Sequence, residues 1–74
     1  MSHLVKRGTH EYYVFVESLA AGGFTYSVLD RDLSKPTATE TTHESNLVFE
    51  TEKMAYLGGI ANARKRAKTQ IIHH

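Results

Sequence analysis

Phe24-Thr25-Tyr26-Ser27-Val28-Leu29-Asp30 alternates without interruption, with Phe24, Tyr26 and Val28 on one side and Thr25, Ser27 and Leu29 on the other. Side chains of a strand point to opposite faces with period two, so this stretch reads as a strand with one apolar face. Upstream, His10 to Ser18 (HEYYVFVES) is rich in aromatic and β-branched residues and predicts a second strand. Leu19-Ala20-Ala21-Gly22-Gly23 lies between them, and its two glycines permit the positive φ of a turn, so the two strands form a hairpin. Downstream, Asp30 to Pro36 is polar and closes on proline, as a connection does. Thr37 to Ser45 follows with four threonines and almost no apolar side chain, which suits an exposed edge strand. Leu47, Val48 and Phe49 are expected to cross back toward the core.

The period then changes. From Glu52 to about Thr69, Tyr56, Ile60, Ala63, Ala67 and Ile71 fall in one arc at helical spacing, with Leu57 at its margin. Thr51 is a good N-cap, and Glu52 suits the positive end of the helix dipole. Gly58-Gly59 inside the helix costs about 1 kcal/mol per glycine relative to alanine. Two readings account for it: close approach of helix backbone to sheet, or a local break. The element order predicts an α+β fold, a three-stranded antiparallel β-meander packed on one C-terminal α-helix. Residues 1–74 are expected to form one small domain, with 1–9 and 70–74 as flexible flanks.

The chain's 41% hydrophobic and 23% charged content is that of a soluble globular protein rather than a disordered one. It has no cysteine, which fits a reducing compartment, and no run near the roughly 20 apolar residues that span a bilayer. The chain therefore reads as cytoplasmic, with no membrane partner. Its near-neutral total hides a polarity. All eight acids precede position 53, whereas five of the nine cations, Lys53, Arg64, Lys65, Arg66 and Lys68, follow it. One end of the molecule should be cationic.

Two surfaces follow as candidates. One helix covers one side of a three-stranded sheet, so the other side faces water or a partner. The strand His10 to Ser18 is apolar on both faces, with Tyr12, Val14 and Val16 on one and Tyr13 and Phe15 on the other. If Tyr13 and Phe15 face out, unpaired bases can stack on them. If Tyr12, Val14 and Val16 face out, the patch suits a protein partner or a homodimer. The flanking segments covering that face is the third arrangement. The second surface is the basic helix end, where a helical wheel puts Arg64, Lys65 and Lys68 within one arc and turns Arg66 elsewhere. Such cations contact phosphates, or simply complement the helix dipole.

Catalytic constellations are missing from the pattern. Five histidines (His3, His10, His43, His73, His74) lack the spacing of a zinc site; His10 and His43 alone are candidates to meet across strands. Asp30-x-Asp32 is followed by Leu33, Lys35 and Pro36 where a calcium loop needs oxygen ligands and a glycine. No phosphate-binding glycine loop or nucleophile elbow occurs. The sequence thus predicts no enzyme, no cofactor, no metal and no small-molecule substrate.

The segment from Phe49 to Arg64, with its Phe-x-Thr-x-x-x-Ala start and Ala/Gly-rich helix, resembles the ends of several small uncharacterised bacterial β-β-β-α domains. The layout is similar to the HicB-like antitoxin fold and, more loosely, to the three-stranded DNA-binding domains of integrases. It departs from the HicB-like pattern at Asp32-Leu33-Ser34-Lys35, where an Asp-Leu-Pro-Gly stretch would stand. The resemblance transfers no site residue. The expected function is a non-catalytic binding module that meets nucleic acid through Arg64, Lys65, Lys68, Tyr13 and Phe15; the alternative is a protein-interaction or self-associating module.

Overall fold

The computed structural model describes residues 2–72. Four strands, β1 (Ser2–Arg7), β2 (His10–Ser18), β3 (Phe24–Asp32) and β4 (Thr39–Glu44), precede one helix, α1 (Glu52–Ile72). They form a single antiparallel sheet in the order β1-β2-β3-β4, so the fold is an α+β meander of four strands where the sequence predicted three. The added strand is β1, which pairs with β2 from Ser2↔Phe15 to Arg7↔His10. Gly8-Thr9 is the two-residue turn between them, with Gly8 at φ 58° in the position where such hairpins favour glycine. Thr9 is held in turn by the amide of Leu33, which donates to its carbonyl at 2.7 Å. The stretch expected to be a loose flank is therefore an edge of the sheet. His73 and His74 lie outside the described residues, as do the side chains of His3 and Ile71.

Tyr12, Val14, Tyr26 and Val28 are buried between sheet and helix, and Val5, Phe49, Tyr56 and Ile60 pack around them. This settles the face of β2: Tyr12 and Val14 point to the core, and Tyr13 and Phe15 away from it. Val14 and Val28 are wholly buried, each stabilising the fold by roughly 1.5–3 kcal/mol.

Among the described side chains of the helix, the buried positions are Ala55, Gly59, Ala63 and Ala67, four small residues about one turn apart. Of the stripe expected from the sequence, Ala63 and Ala67 are buried, while Tyr56 and Ile60 pack on its flank. The buried line is rotated from the expected one by about 60° at 3.6 residues per turn. Close contact explains the rotation. A Cβ on Gly59 would overlap Val14 Cγ1 and stand 3.2 Å from Tyr26 Cβ, so only glycine lets the two layers meet at this separation. The helix runs unbroken through Gly58-Gly59, which removes the local-break reading.

Thr51 caps α1: its Oγ1 accepts from the Met54 amide at 3.1 Å, and its carbonyl accepts from Ala55 at 3.2 Å. Before the cap, Phe49 and Phe24 exchange two backbone hydrogen bonds of 2.8 Å. Phe49 thus returns to the core as expected, whereas Leu47 and Val48 remain 60% and 66% exposed on the connection. Polar β4 is the outer edge, as its threonines predicted. α1 packs on β1, β2 and β3 but not on β4.

Candidate nucleic-acid interface

Because α1 leaves β4 uncovered, a cleft remains on the helix side of the sheet. Asn62, Lys65, Arg66 and Thr69 form its helical wall, and Asp30 and His43 its floor, around a volume of about 420 Å³. An adjoining hollow of about 300 Å³ shares His43, Asn62 and Arg66 and extends toward Tyr26, Ser45 and Asn46. Arg66 is oriented by its Nε, which donates to Asn62 Oδ1 at 2.7 Å, one turn back on the helix. Thr69 Oγ1 donates to the Lys65 carbonyl at 2.9 Å. On the floor, His10 Nδ1 donates to Asp30 Oδ1 at 2.8 Å, and the imidazole stacks on Tyr12 with ring centroids 5.8 Å apart. His10 Nε2 lies 3.9 Å from Asp32.

The opposite flank of α1 carries a second, shallower cleft of about 310 Å³, lined by Arg7, Arg64, Ala67 and Lys68. The helical wheel had grouped Lys65 with Arg64 and Lys68 and set Arg66 apart. The sheet divides them otherwise, Lys65 with Arg66 toward β4 and Arg64 with Lys68 toward β1, because the buried line runs along the small residues. Arg7, from β1, joins the second group and was not foreseen. The one signal for it was the Gly8-Thr9 turn, which folds the Lys6-Arg7 end of β1 back onto β2.

Among the described residues, no carboxylate lies within ion-pair distance of Arg7, Arg64, Lys65, Arg66 or Lys68; the ion pairs present involve Lys6, His10 and Arg31. The helix also continues to Ile72, so its last turn holds no cation. The dipole acts on charges within the final turn, and so explains these cations poorly.

Tyr13 and Phe15 occupy the other face of the sheet. Register places Leu4, Tyr13, Leu29 and Thr42 in one row and Phe15, Ser27 and Glu44 in the next. Leu4 and Phe15 are 41% and 40% exposed, so among the described residues no segment covers this part of the face. Tyr13 donates through its hydroxyl to Glu11 at 3.0 Å. Lys6 and Glu11, and Arg31 and Glu40, pair across the strands at 3.6 Å each. Glu17 and Glu44 share this face by the same alternation, so carboxylates there outnumber cations. The sheet itself separates the aromatic pair from the basic helix end, and the two do not form one continuous surface.

His10 and His43 do not meet. β3 runs between their strands, with His10 opposite Asp32 and His43 opposite Val28. Among the described residues, no three metal-ligating side chains converge, and no helix is long and apolar enough to cross a membrane. No protein-family model matches this chain, and neither the curated proteins nor the solved structures contain a significant match.

Proposed function

We propose that this chain is a non-catalytic binding module that holds the phosphate backbone of a nucleic acid with the C-terminal half of α1. The observation that carries this reading is the set of five cations, Arg7, Arg64, Lys65, Arg66 and Lys68, along the two flanks of α1 on the helix side of the sheet, with no acid pairing them among the described residues. Charges left unneutralised in this way are available to displace the counterions of a polyanion, the term that supplies most sequence-independent affinity. Anisotropy of a labelled oligonucleotide across a salt series tests it. Three or four neutralised phosphates give a slope of log K against log salt of about −2 to −4. Arg64→Gln with Lys68→Gln flattens that slope by about 1 to 2. Absence of binding at low salt rejects the reading.

A second reading rests on the open sheet face. Leu4, Tyr13, Phe15 and Leu29 form an apolar strip bordered by charge, of the kind that seats a protein partner or a second copy. Sedimentation at several concentrations separates the two: a dimer without affinity for oligonucleotides selects this one.

A further inference from the structure

We infer that the cleft between α1 and β4 seats a single unpaired nucleotide whose base carries an exocyclic amino group; the inference rests on the nucleic-acid reading and names what that site selects. The cleft is chemically two-sided. Lys65 and Arg66 supply positive charge on the helical wall, while the carboxylate of Asp30 lies on the floor. A bare anion would meet attraction on one side and repulsion on the other. A nucleotide suits both, with its phosphate on the cations and an amino donor on the carboxylate.

Asp30 is prepared for that task. Oδ1 is engaged by His10 at 2.8 Å, which fixes the carboxylate plane. Oδ2 accepts no hydrogen bond among the described residues, and an ionised carboxylate has room for further donors. Aspartate accepting from the amino group of cytosine is a known pairing geometry. His43 lines the same cleft and supplies an aromatic ring for a base to contact, and the Asn62 amide nitrogen remains a donor after Oδ1 has accepted from Arg66. At about 420 Å³ the space lies at the small end of ligand clefts, enough for one nucleotide rather than a stacked duplex.

The test compares oligo-dC with oligo-dU of equal length, which differ in the 4-amino group against a 4-oxo group, by anisotropy at low salt. The expected result is about fivefold or more tighter binding of oligo-dC. Asp30→Asn and Asn62→Ala, each checked for folding by circular dichroism, bring the dC affinity down toward the dU value. Arg64→Gln with Lys68→Gln weakens both oligonucleotides by the same factor. Equal affinity of the wild-type protein for the two, or a dC preference that survives both cleft variants, overturns the inference and leaves the phosphate-binding reading standing. Loss of all oligonucleotide binding rejects both. Titration with cytidine monophosphate supplies an independent measurement: amide shifts centred on His43 and Asn62 support the cleft, and shifts centred on Tyr13 and Phe15 exclude it.

Discussion

Gly59 of the helix faces Val14 of the central strand so closely that a methyl group on the glycine would overlap the valine Cγ1. The contact sets the distance between the two layers, and the wholly buried Ala63 continues it one turn further on. Gly59→Ala gains about 1 kcal/mol of helix propensity but forces an overpacked contact against β2, costing roughly 1–3 kcal/mol. We expect net destabilisation, read as a lower denaturation midpoint at unchanged slope.

Gly58→Ala should differ in magnitude. A Cβ there would stand 2.8 Å from Phe49 Cζ, at the tip of a half-buried ring that can turn aside. Its effect should lie within about 1 kcal/mol of zero, since the propensity gain offsets the displacement. A larger loss than for Gly59→Ala would contradict the packing described above.

Thr51→Ala removes the acceptor of the Met54 amide. The expected cost is about 1 kcal/mol, with Thr51→Ser nearly neutral because serine retains the oxygen. Denaturant unfolding of the two variants checks this, and equal losses would rule out the cap.

Asp32 is held below the ordinary aspartate value of 3.8, first by the Ser34 side chain and then by the Ser34 backbone amide, which donates to Oδ1 at 2.9 Å. Its folded value thus lies below its unfolded one. The stabilisation is fully present above the unfolded value and is lost as pH falls through the folded value, so its loss is confined to the acid range below about pH 4. A carboxyl-carbon NMR titration should place the Asp32 midpoint below 3.8. Ser34→Ala should move it partway back, because the backbone donor remains.

Phe15→Glu adds a charge to the open face without touching the core, since Phe15 is 40% exposed. Stability should change by no more than about 0.5 kcal/mol, as at ordinary surface sites. Affinity for oligonucleotide should hold to within a factor of about two, because the sheet lies between this residue and the cations. A large fall would mean that the open face joins in nucleic-acid contact.

Elements whose evidence is local were legible from the amino acids. The alternation of Phe24 to Asp30, the Thr51 cap and the threonine-rich edge each reflect interactions within a few residues. β1 was not legible: Leu4 and Val5 are its only large apolar residues, and it becomes a strand through pairing with β2. The rotation of α1 escaped for a different reason. The expected stripe contained Ala63 and Ala67, which are buried, but hydrophobic size drew in Tyr56 and Ile60 where layer spacing selects the smaller Ala55 and Gly59. Of the candidate site, the cations were visible as charges, but their division between two flanks depends on that rotation. The cleft was hidden, because Asn62 and His43 become wall and floor only once β4 is known to lie beyond the reach of α1.

The helix that covers β1 to β3 is also the last element in chain order. During synthesis β1 to β4 therefore emerge before α1, with Tyr12, Val14, Tyr26 and Val28 still without the helix that covers them. The nascent chain is committed to its native state only once the ribosome has released α1, and until then it is the species on which chaperones and proteases act.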